Sequence, residues 1–281
     1  MIPSPAKPAP FSAVRVMGVV NVTPDSFSDG GRFVGLEAGL ARARALIAEG
    51  ADILDIGGES TRPGAAPVSE AEEIRRVVPL IAAIRAESAL PISIDTMKPA
   101  VARAAVAAGA TIWNDVTALR FAPDSPTAAA ELGCEVVLMH MLGEPGTMQA
   151  EPHYQDVVSE VAAFLAARAE AAMSAGVARD RIWLDPGIGF GKHMIRHNLP
   201  LLGGLDRIVA LGFPVLLGAS RKSFIGALDG GRPVDARLGG SIAAALAGAA
   251  AGVAAVRVHD VRETVQALKV WTAIAQAGHG G

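Results

Sequence analysis

Short runs of β-branched and aliphatic residues recur along the chain, and an amphipathic stretch follows each of them. Runs this short, bounded by turn residues, read as buried strands, and their alternation with helical stretches is the pattern of repeated βα units around a parallel sheet. Eight are present, at 14–22, 53–56, 92–94, 111–115, 136–140, 182–184, 215–217 and 255–259. Between them lie helical stretches such as 36–49, 70–87, 156–175 and 238–251. Gly50, Gly109, Gly133, Gly176, Gly212 and Gly252 each fall just past a helical stretch, where a left-handed C′ residue is expected. Eight strand-helix repeats over this length predict an α/β fold, a (β/α)8 TIM barrel in a single domain spanning 14–277. An open doubly wound sheet is the rival arrangement, since strand counting does not show closure.

Composition narrows the function classes. At 281 residues the chain can bury a sizeable core, and 51% hydrophobic with only 4% aromatic residues suits close-packed helices around a sheet. A net charge of -3 supplies no basic field for nucleic acid or an anionic membrane, so neither is expected as a partner. The one cysteine, Cys134, precedes an apolar run and reads as a buried, inert thiol, which leaves no internal disulfide. The longest apolar run, 242–256, is mostly Ala and Gly and falls short of the roughly 20 residues that span a bilayer. Residues 1–13 carry several prolines and no apolar signal core, and are expected to be a disordered tail. These features together predict a cytoplasmic protein.

A barrel places its active site at the C-terminal ends of its strands, so polar residues are expected to gather there. They do: Asn21 after the first strand, Glu59-Ser60-Thr61-Arg62 after the second, Asp95 after the third, and Asn114 with Asp115 after the fourth. His140, Asp185, Ser220-Arg221-Lys222, and Arg257 with His259 complete the series. Singly, each has an ordinary explanation as a helix cap or solvated charge. Their convergence predicts a pocket with carboxylates and amides on one side and cations on the other. An Asp such as Asp95 or Asp185 accepts paired N–H bonds from an amino-pyrimidinone edge, with Asn114 beside it. Arg62, Arg257, His259 and the Thr61 hydroxyl suit a departing diphosphate. The reaction class is displacement of an anionic leaving group.

Other motifs fall away. Asp185-Pro186-Gly187-Ile188-Gly189-Phe190-Gly191-Lys192 departs from the Walker pattern at Pro186 and His193, and its glycine spacing misses the dinucleotide fingerprint. Its glycines instead let backbone and Phe190 approach a ligand. No His-Glu-x-x-His or cysteine cluster suggests tightly held zinc, whereas Mg2+ needs only one protein oxygen when substrate phosphates supply others, and Asn21 is placed to give it. His153, His193 and His197 read as surface or capping groups.

From Val16 to Val261 the chain resembles the dihydropteroate synthase family. The motifs are Asn-Val-Thr-Pro-Asp-Ser-Phe-Ser-Asp-Gly-Gly from Asn21, Gly-Gly-Glu-Ser-Thr-Arg-Pro-Gly from Gly57, and Ser-Ile-Asp-Thr from Ser93. Asn114-Asp115, Asp185-Pro186-Gly187, Ser220-Arg221-Lys222-Ser223 and Arg257-Val258-His259-Asp260 follow in order. The resemblance implies condensation of 6-hydroxymethyl-7,8-dihydropterin diphosphate with p-aminobenzoate, releasing diphosphate, in folate biosynthesis. It implies that Asp95, Asn114, Asp185 and Lys222 bind the pterin, with Met139 against it, and that Lys222, Arg257 and Asp95 act in catalysis. Thr61, Arg62, Arg257 and His259 would hold the diphosphate, and Asn21 its Mg2+. Arg62, Pro63, Phe190 and Ser220 would frame p-aminobenzoate, where sulfonamides compete. The loops 23–35 and 62–69 would be lids. A homodimer is also implied.

One departure from the family pattern is an extra residue, so that His193-Met194-Ile195-Arg196 separates Gly191-Lys192 from His197-Asn198. Two alternatives share the pterin pocket: a methyltransferase acting on methyltetrahydrofolate, and a pterin-binding paralogue without catalysis. The ring and anion sides are expected to be separable, with Asp185→Asn weakening pterin binding and Arg257→Ala sparing it.

Overall fold

The computed structural model describes residues 14–22, 31–60, 66–143 and 152–277. The expected tail at 1–13, Thr61, Arg62 and Pro63, and most of the first lid lie outside the described residues. Among the described residues eight strands are present: β1 (Arg15–Asn21), β2 (Ile53–Gly57), β3 (Ile92–Asp95), β4 (Ile112–Asp115), β5 (Glu135–Met139), β6 (Ile182–Asp185), β7 (Leu216–Leu217) and β8 (Ala255–Val258). All pair in parallel, in the order β6-β5-β4-β3-β2-β1-β8-β7. A parallel bridge between Leu184 and Val215, with Leu184 N–H donating to Pro214 O at 2.9 Å, joins the two ends of that order. The sheet therefore closes into a (β/α)8 barrel, and the open doubly wound alternative is excluded.

The helices are α1 (Gly31–Glu49), α2 (Glu70–Glu87), α3 (Pro99–Ala107), α4 (Ser125–Leu132), α5 (Val157–Ser174), α6 (Asn198–Gly203), α7 (Leu205–Val209), α8 (Ser223–Leu228), α9 (Leu238–Ala251) and α10 (Val261–Ala277). Their starts follow local chemistry. Ser69 accepts from Glu72 N–H ahead of an acidic first turn in α2, and Asp156 caps α5 by accepting from Val158 and Ser159 N–H. The six glycines expected past helices all have positive φ, between 59° and 116°. The Ala- and Gly-rich composition of α9 also has a packing reason: a Cβ at Gly248 would lie 2.5 Å from Leu217, so the helix sits directly on the short strand β7.

The barrel interior is layered by the two-residue period of its strands. Met17, Ile53, Ile112, Val137, Trp183, Leu216 and Ala255 form one apolar cluster that plugs the entrance half. Two residues further along the same strands stand Val19, Asp55, Asn114, Met139, Asp185, Gly218 and Arg257. Strand β3 contributes Ser93 and then Asp95. The remaining aliphatic residues of the strands face outward into a continuous core beneath the helices.

Candidate active site

The mouth layer is tied together by one guanidinium. Arg257 Nε donates to Asp55 Oδ2 at 2.6 Å and its Nη2 to Asp95 Oδ2 at 2.8 Å. Register places Asp95 beside Asn114, and Asn114 Nδ2 donates to Asp55 Oδ1 at 3.4 Å. Two carboxylates thus share one cation in a buried setting. Burial raises the Asp95 pKa to about 7; Arg257 opposes that shift and the neighbouring Asp55 adds to it. Asp95 Oδ1 is buried without a hydrogen-bond partner among the described residues, an acceptor held ready at the mouth. The separation expected between a ring side and an anion side does not hold at Arg257, because it is the ion-pair partner of Asp95. Sequence reading also missed Asp55. Its signal was a lone carboxylate inside the apolar run Ile53-Leu54-Asp55-Ile56, where burial is costly unless the charge is paired.

Across the mouth, Asp185 ends β6 and accepts the Gly187 N–H at 2.7 Å. Burial raises its pKa, opposed first by that hydrogen bond and then by Lys222 and Arg257. A Cβ at Gly218 would lie 3.8 Å from Asp185 Oδ2 and 4.0 Å from Arg257, so the missing side chain leaves bare backbone between them. Lys222 Nζ stands 4.2 Å from the centroid of the Phe190 ring. Phe190 in turn packs on Val116, Met139 and Met141. These placements bring Asp95, Asn114, Met139, Asp185, Lys222, Phe190 and Arg257 to one end of the barrel.

A turn between β7 and α8 presents Ser220 and Lys222. Arg221, between them, has φ 58°, an unfavourable value for a residue with a side chain. Its N–H donates to Ser241 Oγ at 2.9 Å, its carbonyl accepts from Arg237 Nη1 at 3.0 Å, and its guanidinium pairs with Asp260 at 2.5 Å. Those contacts hold the turn and take Arg221 out of the mouth. Ser220 Oγ lies 3.0 Å from His259 Nδ1 and accepts the His259 N–H at 3.3 Å, which links Ser220 to the candidate anion ligand. Burial, followed by Arg257 and Arg221, lowers the His259 pKa to about 4. At the end of β2, a Cβ at Gly57 would be 3.6 Å from Asn21 Oδ1 and 3.8 Å from Asp95 Oδ2, so these two side chains flank a second bare glycine.

Three strand-end residues serve the scaffold instead. Asp115 points away from the mouth; it accepts from Thr117 N–H and Oγ1 at 2.7 Å and from Leu119 N–H at 2.8 Å, holding Ala118 and Leu119 at positive φ. His140 Nδ1 lies 2.9 Å from Lys192 Nζ, and burial lowers its pKa to about 3. Glu59 joins a buried clamp in which Lys98 Nζ also donates to Glu73 Oε2 and Val68 O, both at 2.6 Å. That clamp fastens both described ends of the loop after β2. His193 and His197 cap backbone N–H groups through Nδ1, as expected. Cys134 is buried, with its thiol pKa raised to about 11 by burial.

Among the described residues no group of three or more His, Cys, Asp or Glu is placed to hold a metal ion. No described helix is long and apolar enough to cross a membrane.

A closed barrel whose mouth gathers carboxylates, an amide, a lysine and a guanidinium defines an enzyme for a polar heterocycle with an anionic group. The pterin binding enzyme family matches residues 17–259, and the chain belongs to it. The dihydropteroate synthase of Haemophilus influenzae is 47% identical over 268 residues, covering 95% of this chain and 96% of the relative. The dihydropteroate synthase of Xanthomonas albilineans solved with 4-aminobenzoic acid is 53% identical at a TM-score of 0.88, covering 94% of each chain. The same enzyme solved with 7,8-dihydropteroate superposes at 0.85 with 50% identity, again covering 94% of each chain.

Proposed function

We propose that the protein condenses 6-hydroxymethyl-7,8-dihydropterin diphosphate with p-aminobenzoate, giving 7,8-dihydropteroate and diphosphate: a dihydropteroate synthase of folate biosynthesis. The observation that carries the reading is the mouth layer itself, Asp55, Asp95, Asn114 and Asp185 around Arg257, with Asp95 Oδ1 unpartnered. Asp95, Asn114 and Asp185 hold the amino-pyrimidinone edge, Lys222 a ring acceptor, and Met139 packs on the ring face. Arg257 and His259 lie against the diphosphate, joined by Thr61 and Arg62. Phe190, Pro63, Arg62 and Ser220 frame the arylamine, where a sulfonamide would compete.

The bond between the exocyclic methylene carbon and the diphosphate oxygen breaks, and its electron pair leaves with the diphosphate. The cationic side chains stabilise that charge, while the pterin delocalises the cation left on the methylene. The arylamine nitrogen then attacks the methylene carbon and sheds its proton to solvent. An arylamine needs no strong base for this, so Asp95 and Lys222 act by holding the ring. Asn21, at the rim beside Asp95, would offer its amide oxygen to a Mg2+ that is otherwise held by water and the substrate diphosphate. Such a cation would neutralise leaving-group charge.

A cytoplasmic location accords with the lone, buried thiol. A homodimer is the assembly that the family resemblance implies. The methyltransferase alternative binds no diphosphate, and so gives no role to His259 at the mouth. The test is diphosphate release from the pterin diphosphate with and without p-aminobenzoate and Mg2+. Amine-dependent release of diphosphate and dihydropteroate is expected; pterin binding without release would assign the non-catalytic alternative.

A further inference from the structure

Lys192 is buried and makes no ion pair among the described residues, an unusual situation for an ammonium group. Its Nζ is surrounded by acceptors instead: Gly187 O at 2.9 Å, Phe190 O at 3.0 Å, His140 O at 3.3 Å and His140 Nδ1 at 2.9 Å. Two of these oxygens belong to the loop after β6 and one to the end of β5. Gly187, Gly189 and Gly191 all have positive φ, which winds the loop around the ammonium. Side chains at Gly187 and Gly191 would strike the carbonyl oxygens of His140 and Leu142, so the loop lies hard against the segment after β5. Tyr154 adds an outer tie, donating from its hydroxyl to Gly191 O at 2.9 Å.

The loop delivers one side chain to the mouth. Phe190, whose own carbonyl binds Lys192, packs on the cluster of Val116, Met139 and Met141 and lies against Lys222. We infer that Lys192 is a positioning residue for arylamine recognition: its ammonium, capped by the Gly187, Phe190 and His140 carbonyls, sets where the Phe190 ring stands. The inference rests on the reading that Phe190 frames p-aminobenzoate. Lys192 does not itself touch substrate, because Nζ is walled in by those four acceptors. Burial lowers its pKa to about 7, opposed by the Asp185 carboxylate, while the surrounding carbonyls accept from the ammonium. His140 must stay neutral to accept at Nδ1, in keeping with its lowered pKa. The ammonium thus occupies a carboxylate-free cation site, bridging two βα loops through three backbone oxygens and the His140 Nδ1.

Lys192→Met keeps the aliphatic stem and removes the charge. It should raise KM for p-aminobenzoate about tenfold, with kcat and KM for the pterin diphosphate within about threefold of the parent. Combined with Phe190→Ala, it should add little to the KM increase of Phe190→Ala alone, since the two act through one contact. Equal increases in KM for both substrates, or full additivity with Phe190→Ala, would overturn the assignment. His140→Leu, which removes one acceptor while filling the space, should shift the same KM in the same direction by less; no shift there would count against it. Hydrogen exchange of the 186–192 peptide in the substrate-free enzyme tests the anchor without activity. Faster exchange in Lys192→Met is expected, and unchanged exchange refutes the anchor. Absence of amine-dependent turnover in the parent protein would instead defeat the functional reading and leave the exchange result standing.

Discussion

Two layers of the barrel interior, two residues apart on the same strands, have opposite characters. The entrance layer, with Ile53, Ile112, Val137, Trp183 and Leu216, is a dry apolar plug, whereas the mouth layer carries Asp55, Asn114, Asp185 and Arg257. Both are largely buried, Arg257 being the more exposed, so burial alone does not distinguish packing from chemistry. The difference lies in what satisfies each group. Entrance residues need only close neighbours; the mouth groups offset their desolvation through one another, and incompletely, as the raised pKa values of Asp95 and Asp185 record. The mouth layer therefore holds groups whose desolvation is only partly offset within the fold, and which a charged or hydrogen-bonding ligand can satisfy.

Substitutions can test that contrast. The largest effect is expected from Arg257→Ala, which strands Asp55 and Asp95 without their shared cation. Turnover should fall by about 10²–10³-fold or more, and stability by about 3–5 kcal/mol. Pterin binding should weaken as well, since Asp95 loses the charge that favours its ionised form; full retention of pterin affinity in a fluorescence titration would restore the idea of separable ring and anion sides. Trp183→Ala, in the entrance layer, should cost about 3–5 kcal/mol in denaturant melts while the folded fraction keeps its kcat. A selective loss of kcat would mean that the two layers are not independent.

Asp95 links the contrast to pH. Its folded-state pKa is raised from 3.8 to about 7, so its contribution to stability is complete below 3.8 and is lost as pH rises through about 7. Ligand binding runs the other way, because the pterin edge needs an acceptor. Pterin affinity should climb about tenfold per unit as pH rises toward 7 and then level off, and Asp95→Asn should flatten that profile. A profile unchanged in Asp95→Asn would move the titration to another group. The smallest effect is expected at Gly133, on the entrance side before β5, where φ is 59° and a Cβ would meet nothing. Gly133→Ala should cost about 1–2 kcal/mol by backbone strain alone and leave both KM values unchanged; a kinetic effect would show that entrance loops influence the mouth.

The barrel was legible to within a residue or two along most of its length. Helix α2 was expected at 70–87 and is found at Glu70–Glu87, because a capping serine, an acidic first turn and a clear apolar face all agree. Helices α6, α7 and α8 escaped periodicity because each is too short to show a helical repeat. At the site, Asp95, Asn114, Asp185, Lys222 and Arg257 were legible from strand ends and family motifs. Asp55 was not, and Asp115, His140 and Glu59 were assigned to a mouth they do not line.

What the sequence determined by itself is the order of strand and helix, the eightfold repeat, the family and the residue types available at the strand ends. Only the tertiary structure decided whether the sheet closed, through Leu184 and Val215, and which of two neighbouring polar residues turned inward, Asn114 rather than Asp115. The physical reason is that a parallel barrel buries both faces of each strand. Polar and apolar alternation then cannot tell the interior from the helix-covered side, and the choice passes to register, which is set by all eight strands together.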